Sequence, residues 1–336
     1  MGKIKVLIAD DSELVRNIVA EVLSSDDEIE VINLSKNGKE AIAFLENNKV
    51  DVVVTDIEMP VMDGLKTIEH IMTYKPTPIL AMSCSPSAKT VMVFNALELG
   101  ALEVVGKSNL VGRNKEEFIK KVKLFSKIRV ISRTKKQPVV VIPNRKTVPP
   151  KKNKTIGIAS STGGPSILKS ILEKIPAGLD ARILIVQHIS KDFDEPFVQW
   201  LGSYTSIRIR SARRGDSIEP DTAYIGPCGY HITVDEANKI QLSESTDRIC
   251  PSGDVLLSSI AQYYGPDSLG IILSGMGRDG AQGIKAIKNS GGRTIAQNRE
   301  TSIIFSMPES AINLQAIDQI LPPEAIAEEI IRFLQQ

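Results

Sequence analysis

Residues 50–64 read Val-Asp-Val-Val-Val-Thr-Asp-Ile-Glu-Met-Pro-Val-Met-Asp-Gly, and this stretch decides the fold of the first third of the chain. From Val50 to Thr55 it is rich in valine, and the run stops at Asp56. A short, nearly continuous apolar run reads as a strand buried on both faces, as in a parallel sheet between two helix layers. Working outward, Ile4–Ala9 is a run of the same kind ending in Asp10-Asp11. Ile79–Met82 ends at Ser83, and Val104-Val105 leads to Lys107. Helical patterns alternate with these runs; after Ser12, Leu14, Ile18 and Val22 fall on one face. The alternation predicts a doubly wound parallel α/β domain over residues 1–122.

The pattern restarts at Thr155. Ile156–Ala159 reads as a strand, followed by a Gly-Gly turn and a helix over Ser166–Lys174, and Arg182–Gln187 is a strand ending at His188. Thr222–Ile225, Ile232–Val234 and Ile240–Leu242 look like a small antiparallel meander. A helix near Val255–Tyr264, the strand Leu269–Leu273, a Gly-rich loop, the helix Ala281–Ser290 and the strand Thr294–Gln297 follow. A second α/β parallel-sheet domain carrying a small meander is expected over residues 154–336.

Residues 123–153 form a basic, proline-containing linker, interrupted by the apolar Val139–Ile142. The net charge of +1 conceals a division: residues 1–118 carry −7, residues 119–154 carry +13, and residues 155–336 carry −5. A basic strap therefore joins two acidic domains. The basic residues sit in a linker and not on a helix, and no helix-turn-helix is visible, so nucleic acid is not an expected partner. The three cysteines, Cys84, Cys228 and Cys250, are too few and too scattered for a disulfide framework or a zinc site. No apolar run reaches the ~18 residues of a membrane helix. The start, Met-Gly-Lys-Ile-Lys-Val, does not read as a signal peptide. A cytoplasmic protein without membrane insertion is expected.

Asp10, Asp11, Asp56, Ser83 and Lys107 all fall at strand ends, where open α/β sheets carry their sites. Three converging carboxylates call for a hard cation such as Mg²⁺. A metal, a hydroxyl and an ammonium around one carboxylate suit phosphoryl transfer to it. The order Asp10-Asp11, Asp56 followed by Met59-Pro60…Asp63-Gly64, Ser83 and Lys107 resembles a response-regulator receiver domain, a flavodoxin-like fold. That resemblance implies phosphorylation of Asp56, Mg²⁺ on Asp10, Asp11 and Asp56, and phosphate contacts from Ser83 and Lys107. Two positions depart from the family's pattern: Ser108 stands where a proline is usual, and Val104 where a switch aromatic is usual.

A second set of strand ends carries Ser161 in Ala159-Ser-Ser-Thr-Gly-Gly-Pro165, His188 after Gln187, and Asp279 in Ser274-Gly-Met-Gly-Arg-Asp-Gly280. A serine at a helix N-terminus has backbone N–H groups nearby for an oxyanion, but needs a base, and an imidazole oriented by a carboxylate supplies one. The order Ser, His, Asp and the alanine two residues before Ser161 exclude an α/β-hydrolase elbow. These motifs, with Pro251–Leu256, behind a receiver domain strongly resemble the chemotaxis protein-glutamate methylesterases, the CheB family. The resemblance implies Ser161 as nucleophile, His188 as base and Asp279 as orienting acid, with the backbone of Thr162 and Met276 at the oxyanion site. It further implies demethylation, and glutamine deamidation, of methyl-accepting chemoreceptors, with a chemotaxis histidine kinase as phosphodonor and no cofactor for the esterase step. We expect the unphosphorylated receiver to cover the Ser161 rim and phosphorylation to uncover it.

Other readings compete. Gly275, Gly277 and Gly280 form a G-x-G-x-x-G after a strand, with Glu300 twenty residues on, the outline of a dinucleotide site. It would make the second domain a nucleotide-dependent enzyme or sensor, but it leaves Ser161 and His188 unexplained. Ser160 is an adjacent candidate nucleophile. His231, in a turn before a strand, and His70, on a helix, read as structural or surface residues. Arg213-Arg214 reads equally as a contact for acidic receptor side chains or as a solvated turn. Cys84 reads as a packing residue.

Overall fold

The computed structural model describes residues 2–83, 90–110, 115–128, 130, 154–189, 193–247 and 249–336. Cys84, most of the basic linker with Val139–Ile142, and the Ser108 side chain lie outside the described residues. The chain divides into two compact units, Met1–Val141 and Ile142–Gln336.

The first unit runs β1 (Ile4–Ala9), α1 (Glu13–Ser24), β2 (Ile29–Ser35), α2 (Gly38–Asn47), β3 (Val52–Asp56), α3 (Gly64–Tyr74), β4 (Ile79–Ser83), α4 (Thr90–Leu99), β5 (Glu103–Gly106) and α5 (Lys115–Phe125). Its five strands lie in the order β2-β1-β3-β4-β5, all parallel. Every residue of β3 is buried, as its valine run requires. β2 was not legible as a strand: Glu30 and Asn33 interrupt its apolar pattern because it lies at the sheet edge, partly exposed. Leu14 departs from expectation. It is 69% exposed, and α1 buries Val19, Val22 and Leu23 instead.

The order of strands reverses between β1 and β3, so Asp10 and Asp56 end on either side of one crevice. The tail after Asp56 is fixed by close packing. Asp63 caps α3 by accepting from the Lys66 N–H at 2.8 Å. A Cβ on Gly64 would lie 2.0 Å from the Asp56 carbonyl oxygen, so no side chain fits at that position.

The second unit contains β6 (Thr155–Ser160), α6 (Gly164–Leu172), β7 (Arg182–Gln187), α7 (Asp194–Gly202), β8 (Arg208–Ser211), β9 (Thr222–Ile225), β10 (Tyr230–Val234), β11 (Ile240–Glu244) and α8 (Gly253–Tyr264). It continues with β12 (Ser268–Ile272), α9 (Ala281–Asn289), β13 (Arg293–Gln297), α10 (Ser306–Asn313), β14 (Gln319–Leu321) and α11 (Pro323–Gln335). Seven parallel strands take the order β14-β13-β12-β6-β7-β9-β8. The expected meander is only a hairpin of β10 and β11. Thr222–Ile225 instead joins the main sheet as β9, pairing parallel with β7 and β8. All four of its residues are buried, and a two-stranded ribbon cannot cover both faces of a strand. His231 likewise lies within β10 and not in a turn before it.

Candidate active site and phospho-acceptor site

In the C-terminal unit the chain direction across the sheet reverses between β12 and β6, and β7 lies beside β6. The three adjacent strand ends carry Asp279, Ser161 and His188. After Ser160 the chain turns sharply into α6 through Gly163, whose φ of 83° is left-handed and suits glycine. A Cβ on Gly164 would lie 1.9 Å from Ser160 Oγ and 2.3 Å from Gln187 Oε1, so the turn closes only around glycine.

Ser161 and His188 are tied through their backbones. Gln187 Nε2 donates to the Ser161 carbonyl at 2.9 Å and to the His188 carbonyl at 3.0 Å. The His188 N–H donates to the Ser160 carbonyl at 3.0 Å, and the Ser161 N–H to the Ser274 carbonyl at 3.0 Å. The imidazole meets the acid directly, with Nε2 2.9 Å from Asp279 Oδ2. Among the described residues the Ser161 hydroxyl makes no hydrogen bond, so the serine stands beside the pair without yet engaging it. Nδ1 is the ring nitrogen Asp279 leaves over. Nucleophile–base contacts are commonly looser without substrate.

Asp279 is held by the start of α8, which the sequence reading did not connect to it. Ser252 Oγ donates to Oδ1 at 2.6 Å, the Gly253 N–H to Oδ2 at 2.6 Å, and the Asp254 N–H to Oδ1 at 3.2 Å. Burial would push the Asp279 carboxyl up, but hydrogen bonds from His188 and Ser252 outweigh it and hold it below the usual carboxylate range. The readable signal was Ser252 as helix cap before the apolar run of α8; which carboxylate the cap would meet was not readable.

Of the expected oxyanion residues, Thr162 is buried and its carbonyl accepts from Ser274 Oγ at 2.8 Å. Met276 is 38% exposed, and its N–H has no hydrogen-bond partner among the described residues. The loop is pinned on both sides of it. Ser306 Oγ accepts from the Gly277 N–H at 2.9 Å and donates to the Gly275 carbonyl at 2.9 Å. The dinucleotide reading of Gly275–Gly280 fails on donors. At the start of α9, the Ala281 N–H bonds the Arg278 carbonyl and the Gly283 N–H bonds Asp254 Oδ1, leaving neither for a phosphate.

Ser160 is fully buried, with no hydrogen-bond partner for its hydroxyl among the described residues. His231 pairs with Asp247 at 3.2 Å, and His70 packs on the Tyr74 ring. Arg214 donates to the Leu242 carbonyl.

In the first unit, Asp10, Asp11 and Asp56 each place a carboxylate oxygen within 4.8 Å of the others. Lys107 Nζ lies 2.9 Å from Asp56 Oδ2 and 2.6 Å from Asp10 Oδ2, the latter contact lacking hydrogen-bond alignment. Ser83 ends β4, the strand beside β3. Burial pushes the Asp56 carboxyl up to about 6; Lys107 opposes this and Asp10 adds to it. Burial alone would pull the Lys107 ammonium down, but Asp10 and Asp56 hold it above the ordinary lysine range. One ammonium does not balance three carboxylates, and the donors are all oxygen. The cluster therefore fits a hard divalent cation such as Mg²⁺.

Residues 6–123 match the response regulator receiver domain family, and residues 156–330 match the CheB methylesterase family. Two curated relatives are 36% identical. They are the protein-glutamate methylesterase/protein-glutamine glutaminase 1 of Syntrophus aciditrophicus (98% of each chain) and the protein-glutamate methylesterase/protein-glutamine glutaminase of Methanococcus maripaludis (99% of this chain, 98% of the relative). The crystal structure of the Thermotoga maritima CheB methylesterase catalytic domain is 32% identical, with a TM-score of 0.52, covering 54% of this chain and 99% of its own. The two matched families lie in the order of the two units and the relatives are matched over nearly their full length, so the chain belongs to the CheB family, an N-terminal receiver domain followed by a C-terminal methylesterase domain.

Proposed function

We propose that this chain is a receiver-regulated protein-glutamate methylesterase and protein-glutamine glutaminase, acting through Ser161, His188 and Asp279 on the cytoplasmic helices of methyl-accepting chemoreceptors. The observation that carries the reading is the 2.9 Å contact between His188 and Asp279 on strand ends flanking Ser161. With Nε2 engaged by Asp279, Nδ1 takes the Ser161 proton as Oγ attacks the ester carbonyl carbon. The oxyanion draws on the Thr162 and Met276 N–H groups. Collapse of the tetrahedral intermediate breaks the bond to the methoxy oxygen, His188 returns the proton, and methanol leaves. Water, deprotonated by His188, then cleaves the acyl-serine to glutamate. A glutamine side chain follows the same path with ammonia leaving.

In the receiver domain Asp56 is the phospho-acceptor, supplied by a chemotaxis histidine kinase. Lys107 and Ser83 contact the phosphoryl oxygens. Asp10, Asp11 and Asp56 would hold Mg²⁺, whose charge offsets that of the carboxylates and phosphoryl group. The chain works in the cytoplasm; no helix among the described residues is long and apolar enough to cross a membrane.

Methanol release from methylated receptor membranes, with and without a small-molecule phosphodonor, tests the reading. The phosphodonor is expected to raise the rate in the parent and not in Asp56→Ala. Release that is undiminished in Ser161→Ala would overturn the assignment of the nucleophile.

A further inference from the structure

We infer that Ser252 is a positioning residue for the esterase reaction, its hydroxyl fixing the Asp279 carboxylate on which His188 turns. The inference rests on the triad reading above. It starts from how Asp279 is bound. Asp279 lies in a loop, and that loop gives its carboxylate no hydrogen bond; among the described residues its donors besides His188 all come from residues 252–254 at the head of α8. Ser252 Oγ–H is the single side-chain donor of that group, at 2.6 Å from Oδ1. It is buried, 8% exposed, and so is Asp279, so water does not readily replace the contact.

The two oxygens of Asp279 have different tasks. Oδ2 faces His188 and the Gly253 N–H, and Oδ1 faces Ser252 and the Asp254 N–H. The serine thereby holds the carboxylate plane from the side opposite the imidazole. Without the hydroxyl, Oδ1 keeps only the 3.2 Å contact to Asp254, so the plane is held firmly at Oδ2 alone, by the Gly253 N–H, and turns more readily about that oxygen relative to Nε2. The same Oγ also accepts, at 3.4 Å, from the Val255 N–H as the cap of α8. The long capping contact and the short contact to Asp279 assign the hydroxyl chiefly to the carboxylate.

Capping and positioning separate by substitution. Glycine is an adequate helix cap but donates nothing through a side chain, whereas threonine keeps the hydroxyl. We expect Ser252→Gly to lower kcat for methanol release about 10- to 100-fold, the cost of misplacing a catalytic group, with KM unchanged. Ser252→Thr is expected to retain kcat within about threefold, because it keeps the same donor. The full-length chain is used throughout, with thermal unfolding recorded for each variant. Should Ser252→Gly fail to fold, Ser252→Cys, similar in size but a weak donor, carries the same expectation. A parent-like kcat in the glycine variant, a loss confined to KM, or an equal loss in the threonine variant would overturn the inference. Ser161→Ala is the separate control: release persisting there defeats the triad reading itself, while its abolition with Ser252→Gly unaffected defeats the Ser252 assignment alone.

Discussion

His188 Nε2 lies 2.9 Å from Asp279 Oδ2, and the same oxygen accepts from the Gly253 N–H at 2.6 Å. One carboxylate oxygen thus joins the strand end of β7 to the head of α8. The arrangement fixes the ring before substrate arrives, since Asp279 accepts from Nε2–H and leaves Nδ1 unprotonated in the neutral imidazole. In the proposed mechanism, preorganisation of this kind lets a fixed carboxylate stabilise the imidazolium formed when Ser161 gives up its proton.

Replacing Asp279 with asparagine removes that preference. The amide can donate to Nε2, which stabilises the tautomer with its proton on Nδ1 and leaves no acceptor for Ser161. The expected loss in kcat is of order 10⁴-fold, the scale of the same change in a serine protease triad. Stability changes with a definite sign. The folded-state pKa of Asp279 is depressed, so its contribution is present above the unfolded value of 3.8 and is lost as pH falls through the folded value. Asp279→Asn should therefore be less stable than the parent at pH 7, with the gap closing below pH ~4. Denaturant unfolding at the two pH values checks it.

Ser160 and Ser161 make the contrasting test. Ser160 Oγ is buried without a partner among the described residues, and such a hydroxyl costs desolvation without return. Ser160→Ala is expected to be neutral or to stabilise by up to about 1 kcal/mol, with methanol release retained. Ser161→Ala should be equally well folded and inactive. Loss of activity in the first and retention in the second would place the nucleophile one residue earlier.

Much of this site was legible beforehand because strand ends mark it. Asp56, Ser83, Ser161 and His188 each terminate or follow an apolar run, so pattern alone brings them to a rim. Ser252 was not legible in that way. It belongs to a helix head whose approach to Asp279 depends on α8 packing against β6 and α9, and Gly253 and Gly283 permit that approach through contacts far apart in sequence. The strand Thr222–Ile225 looks like part of a meander in the sequence for a related reason, since neighbours in sequence are a poor guide where a strand crosses back to the main sheet. Leu14 shows a further limit, as helical spacing places a residue on a face without saying whether the first turn of that face is covered.

Gly253 offers a steric test of the same contact. A Cβ there would lie 2.7 Å from the Ala159 Cβ, 3.2 Å from the Gly280 Cα and 3.3 Å from Asp279 Oδ2. Two of these neighbours are sheet and loop atoms that cannot swing aside, so Gly253→Ala must move α8 or the Asp279 loop. Overpacking of this kind costs about 1–3 kcal/mol. Thermal unfolding should show the loss, and methanol release should fall more than the folded fraction does, because the displaced group is the one holding His188.

The receiver site predicts an opposite sign for a loss of charge. Asp56 is buried beside Asp10, with Lys107 as the ammonium they share. An ionised Asp56 is then a cost to folding, and burial is its largest cause. Asp56→Asn removes one negative charge while Lys107 keeps Asp10. In metal-free buffer at pH 8 the variant is expected to be more stable than the parent by about 3 kcal/mol. Millimolar Mg²⁺ should stabilise the parent and narrow that difference, since a cation bound by the folded state alone adds stability by mass action. The measurement is the receiver transition in thermal unfolding of the full chain, with and without Mg²⁺. A variant less stable than the parent in metal-free buffer would show that Lys107 more than balances the carboxylates, and would remove the electrostatic reason for placing a cation there.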